Sequence, residues 1–132
     1  NNEKALTWIK KLFNKIILQK NKLSSSFQKD PFNKAHKYIR KNELNNFRIS
    51  LMNELNREQE FRKKYFDCSK EYLEQIVGNE LVMQKKVNLS IQFPNDSSSL
   101  LEVHADVWSG DSPYETVAWI PLVDCYKTRI SL

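Results

Sequence analysis

The stretch Leu101-Glu102-Val103-His104-Ala105-Asp106-Val107-Trp108 holds one of only two histidines in the chain, with an aspartate two residues on. An imidazole nitrogen and a carboxylate oxygen that project to one side can bind the same ion. A borderline imidazole with a hard carboxylate suits Fe(II), Mn(II) or Zn(II). In an extended chain residues 104 and 106 share a face, so the spacing fits such a site if His104 lies on or at the end of a strand. His-x-Asp is short, however, and the plainer reading is a strand-end histidine hydrogen-bonded to a turn aspartate; surrounding sequence has to decide between them. The two cysteines, Cys68 and Cys125, have neither metal-binding nor redox spacing. They are expected as free thiols in a reducing, cytoplasmic setting.

The elements that must position His104 and Asp106 are strands. Val87, Leu89, Ile91 and Phe93 alternate with Asn88, Ser90 and Gln92, the period of a strand with one apolar face. Pro94-Asn95-Asp96 is turn chemistry. Residues 100–105 form a second strand leading into His-x-Asp, the loop 108–115 follows, and Thr116–Val123 is a third, with Pro121 at an edge or bulge. Helices precede them. Leu6, Ile9, Phe13 and Ile16, with Leu12 and Ile17, make an apolar stripe over residues 3–20. Asp30-Pro31 is a helix start for residues 31–40. Leu44, Phe47, Leu51, Leu55, Phe61 and Tyr65 predict a helix over 43–65, and Tyr72, Leu73, Ile76 and Val77 another over 69–77, closed by Gly78. The order is helices and then strands, an α+β class.

The residues His104-Ala105-Asp106, Trp108-Ser109-Gly110-Asp111-Ser112-Pro113 and Trp119-Ile120-Pro121-Leu122-Val123-Asp124 together resemble a bacterial group of Fe(II)/2-oxoglutarate-dependent oxygenases. That group is related to phytanoyl-CoA dioxygenase and is found in carbohydrate and surface-polysaccharide gene clusters. The resemblance is dense over residues 85–132 and loose before them. It implies a helical N-terminal region, 1–84, followed by the first strands of an incomplete double-stranded β-helix (jelly-roll), 85–132. It also implies Fe(II) and 2-oxoglutarate as cofactors, His104 and Asp106 as two of three protein ligands, and hydroxylation of a small-molecule substrate, a sugar or sugar-linked intermediate. The group's second histidine and its 2-oxoglutarate-binding arginine lie on later strands. No histidine follows Asp106 here, and Arg129 comes too soon to be that arginine. The resemblance therefore describes a C-terminally truncated chain, inactive alone. His36, in a helix, is read as a solvent-side residue rather than a replacement ligand. Gln92 stands to hydrogen-bond the cosubstrate or simply to face water. Trp108 lines the substrate pocket or caps the core, the latter preferred. Asp111 and Ser112 are expected to brace their loop.

Composition sets the rivals. The chain has 132 residues, 40% of them hydrophobic and 28% charged, as in one soluble domain with a core. No apolar run is as long as a membrane span. Residues 1–86 carry 19 Lys and Arg against 10 Asp and Glu, a net of +9, whereas residues 87–132 are at −4. Such asymmetry invites a basic helical module binding nucleic acid, or membrane-surface attachment through the helix carrying Trp8. The lysines are interspersed with acids, no nucleic-acid-reading motif is present, and packing explains the apolar stripe, so neither nucleic acid nor stable membrane insertion is expected. A non-catalytic fragment is the remaining alternative.

Overall fold

A computed structural model of the chain describes residues 2–20, 29–97 and 102–126. Among the described residues four α-helices carry the core: α1 (Asn2–Lys20), the single turn α2 (Pro31–Lys34), α3 (Leu44–Arg57) and α4 (Phe61–Val77). Short 3-10 turns follow α2 at Ala35–Lys37, precede α3 at Lys41–Glu43, and recur at Asp106–Ser109.

The stripe of α1 behaves as its spacing demands. Ile9, Leu12, Phe13, Ile16 and Ile17 are buried, each removing apolar surface worth about 1.5–3 kcal/mol from water. They pack chiefly on α4 and less extensively on α3. Leu51 and Leu55 from α3, Phe61 from α4 and Val87 complete the main cluster. A smaller one joins Ile39, Leu44 and Phe93. Asp30 caps α2 as its type requires, its carboxylate accepting from the Asn33 amide at 3.3 Å.

Three helix spans differ from the sequence reading, the first being 31–40, where the α-helix stops at Lys34 and a 3-10 turn takes over. Residues 43–65 are not one helix. Glu58 leaves helical geometry (φ −73°, ψ 117°), and the Phe61 amide donates to the Glu58 carbonyl at 3.0 Å, starting α4. The cause is angular. On an unbroken helix Phe61 would sit roughly 100° from the stripe centred on Leu44, Leu51 and Leu55. The turn brings it back to the core, edge-on to Phe13 with ring centroids 6.3 Å apart. The helix expected over 69–77 is the second half of α4, and Tyr72 and Ile76 on it are exposed. Gly78 does end it, at φ 85°.

The larger correction concerns fold class. Among the described residues there is no β-strand, so the α+β reading with the first strands of a jelly-roll is overturned; the fold is helical. Period-two alternation is nevertheless real. Val87 and Phe93 are buried, Leu89 and Ile91 half-buried, and Asn88, Ser90 and Gln92 exposed. The segment lays one face on the helices, but among the described residues no second segment pairs with it in a ladder, and alternation alone cannot supply one. A side chain takes the neighbour's place. The Asn56 amide donates to the Val87 carbonyl at 2.9 Å and accepts from the Val87 N–H at 2.8 Å, as a paired peptide would. Arg62 adds donors to the carbonyls of Met83 and Gln84. Residues 102–105 and 116–123 likewise form no strand; positions 100 and 101 of that expectation lie outside the described residues.

Beyond Phe93 the described chain returns to the helices at several points, the Lys41–Asp96 ion pair at 3.8 Å among them. Leu122 is half-buried against the main cluster, and the Tyr65 hydroxyl donates to the Ala118 carbonyl at 2.5 Å. Burial raises the Tyr65 phenol, with the neighbouring Cys68 adding to it; burial also raises the Cys68 thiol, helped by Asp67. Both groups hold their protons more tightly in the native state. Their contribution to stability is complete below the ordinary values of 9.0 and 10.0 and is lost as pH rises through the raised ones. The thermal midpoint should therefore fall as pH rises above about 9. The Cys68→Ser, Tyr65→Phe double variant should show a flatter decline; an equally steep one would assign alkaline loss to other groups.

Candidate metal site

His104 and Asp106 lie in a stretch that makes its own geometry. Ala105 is extended (φ −122°, ψ 135°), and Asp106 opens the 3-10 turn, so the two residues are not both on a strand. The Trp108 amide closes the turn on the Ala105 carbonyl at 2.9 Å. Gly110 then takes φ 97°, a conformation that suits glycine, and the Asp111 amide returns to the Asp106 carbonyl at 3.3 Å. Ser112 braces the loop as its type suggests, its hydroxyl accepting from the Tyr114 amide at 3.2 Å.

The structure brings the two side chains together. His104 Nε2 is 3.4 Å from Asp106 Oδ1. The other ring nitrogen, Nδ1, is 2.8 Å from the Glu102 carbonyl oxygen. A carbonyl only accepts, so Nδ1 carries the hydrogen and Nε2 is the nitrogen left to face the carboxylate. A histidine that ligates through one nitrogen is commonly fixed in this way through the other. Two acceptor atoms then face each other and call for a cation between them, either a proton or a metal. Their separation exceeds the about 2.7–2.9 Å of a charge-assisted hydrogen bond. It matches two donors each about 2.1 Å from one ion, which stand roughly 3.0–3.4 Å apart. The residues present thus fit one side of a first-row metal site.

The surroundings are open. The His104 and Asp106 side chains are 45% and 52% exposed. Among the described residues no group of three or more His, Cys, Asp and Glu is placed to hold an ion. Gln92 is exposed on the outward face of 87–93. Trp108, at 75% exposure, neither caps the core nor lines a closed pocket; it stands on the same turn as Asp106. His36 is half-buried in the 3-10 turn after α2, its ring edge-on to Phe93 with centroids 6.4 Å apart. A shallow groove between α1, α4 and residues 119–121, lined by Leu6, Cys68, Tyr72, Trp119 and Pro121, does not include the pair.

Sequence reasoning missed the three side chains that tie down the non-helical half: Asn56, Arg62 and Tyr65. Each lies on a helix, and nothing in its local pattern announces a backbone partner tens of residues away. The Glu102 carbonyl, which orients the imidazole, was equally unreadable, because a main-chain atom leaves no mark in residue type. Among the described residues no helix is long and apolar enough to cross a membrane. Comparison with family models, with curated proteins and with solved structures finds no match.

Proposed function

We propose that His104 and Asp106 are two protein ligands of Fe(II), and that this chain contributes them to a 2-oxoglutarate-dependent oxygenase acting on a sugar or sugar-linked intermediate. The supporting observation is the imidazole fixed through Nδ1 on the Glu102 carbonyl, with Nε2 turned to Asp106 Oδ1 at 3.4 Å. The resemblance carried by residues 104–124 supplies the reaction class. Iron(II) with 2-oxoglutarate supplies oxidative decarboxylation coupled to hydroxylation of a C–H bond. The chain's own residues orient and surround. Glu102 holds the ring, Asp106 provides the anionic donor, and the exposed indole of Trp108, on the same turn as Asp106, is an apolar surface for the carbon face of a sugar ring. Among the described residues no third His, Cys, Asp or Glu is grouped with the pair, so water fills the remaining positions around the ion on this face.

Two ligands make a weak site. Mn(II), a redox-stable substitute for iron, should bind with a dissociation constant of about 0.1–1 mM, roughly −4 to −5.5 kcal/mol. His104→Ala and Asp106→Ala should each weaken it tenfold or more, read by electron paramagnetic resonance of the free ion. Equal binding by wild type and both variants would remove the pair from the site. The oxygenase part is tested separately. Anaerobic Fe(II) plus 2-oxoglutarate should give a weak visible charge-transfer band that either substitution abolishes. Metal binding without that band would leave a metal-binding segment and no oxygenase.

A further inference from the structure

We infer that the His104–Asp106 pair is a half-site which zinc completes by bridging two copies of this chain. The inference rests on the pair being a metal-ligand pair, as proposed above. Zinc(II) prefers four donors in a tetrahedron and accepts imidazole nitrogen and carboxylate oxygen at about 2.0–2.2 Å. One chain presents two such donors, and the described residues add no third. A second copy presents an identical pair. A two-fold axis through the ion makes four donors from two chains, the self-complementary arrangement that closed dimers use.

Three features of the surface favour this occupant. The pair is accessible, about half of each side chain facing outward. Its sequence neighbours include exposed apolar residues, Val103 at 98%, Trp108 at 75% and Val107 at 46%, side chains that a partner can cover. Residues 102–126 also contain five acids and no lysine or arginine. A divalent cation is the charge complement of this acidic stretch, so bringing two copies of the His104–Asp106 pair together around one ion offsets the repulsion between their carboxylates. With four protein donors the zinc site is closed, and zinc therefore competes with the proposed iron site instead of serving it.

The test is multi-angle light scattering on the intact chain with Zn(II) alone as the probe, combined with metal analysis of the eluted peak. The expected result is a mass twice 15.7 kDa with one zinc per two chains, reversed by EDTA. His104→Ala and Asp106→Ala should each weaken zinc-driven dimerisation at least tenfold. Both side chains are on the open surface, and circular dichroism will verify that the helices persist. A monomer with one zinc per chain lost in both variants would overturn the bridge and leave the metal pair standing. No zinc uptake would overturn both readings. A dimer that survives EDTA, or forms equally in His104→Ala, would overturn the inference.

Discussion

Replacing Phe61 by alanine is expected to lower the stability of the chain by about 3–5 kcal/mol, seen as a shift of the urea unfolding midpoint with little change in slope. The side chain is 3% exposed at the first residue of α4, edge-on to Phe13 and tilted against Tyr65 at 6.3 Å. It fills the space where α1, α3 and α4 meet, and none of these can close over the vacancy without losing its own contacts. A loss of this size is a large part of the about 5–15 kcal/mol that holds a domain folded. Ile49→Ala, at a position 41% exposed on α3, should cost under about 1 kcal/mol and serves as the control. A Phe61→Ala cost no larger than that control would mean that α3 continues unbroken through Phe61 and turns the ring away from the core.

The same residue shows what periodicity can and cannot reveal. The stripe of α1 was legible because every third or fourth position repeats one choice, and Ile9, Phe13 and Ile16 are buried as that repetition requires. Asp30 and Gly78 were legible because capping and left-handed geometry restrict residue type. The break between α3 and α4 was not. The segment Arg57–Glu60 has no proline or glycine, and only the angular offset of Phe61 hinted at it. The strand reading of Val87–Phe93 was right about which side chains are buried and wrong about what the backbone pairs with. Alternation reports burial on one face, whereas a sheet also needs a neighbour that no local pattern encodes. At the candidate site residue type and spacing brought His104 and Asp106 to attention. Their 3.4 Å approach arises from a main-chain carbonyl and a 3-10 turn rather than from a shared strand face.

This separation between locally built site and distantly anchored segment gives the second large effect. Asn56→Ala should destabilise the chain by about 2–4 kcal/mol, because it removes both hydrogen bonds to Val87 and leaves the half-shielded N–H and C=O of that residue without partners. The Asn56 amide is oriented by a third bond, to the Met52 carbonyl at 2.8 Å, so a shorter or differently polar side chain cannot take over. Asn56→Asp discriminates further. It keeps an acceptor for the Val87 N–H but sets a carboxylate oxygen against the Val87 carbonyl, and should be at least as damaging as alanine despite its near-identical size. Hydrogen exchange should show the change where the anchor acts. The Val87 amide and its neighbours through Phe93 should lose protection, while the central turns of α1 and α4 keep theirs relative to the new global stability. Mn(II) affinity should stay within about twofold of wild type in the folded variant, a change under about 0.5 kcal/mol. His104, Asp106 and the Glu102 carbonyl that fixes the imidazole lie within five residues of one another and take no support from Asn56. Loss of metal binding on Asn56→Ala in a chain that remains helical would show instead that the extended segment positions the pair, and that the turn at Asp106–Ser109 is insufficient alone.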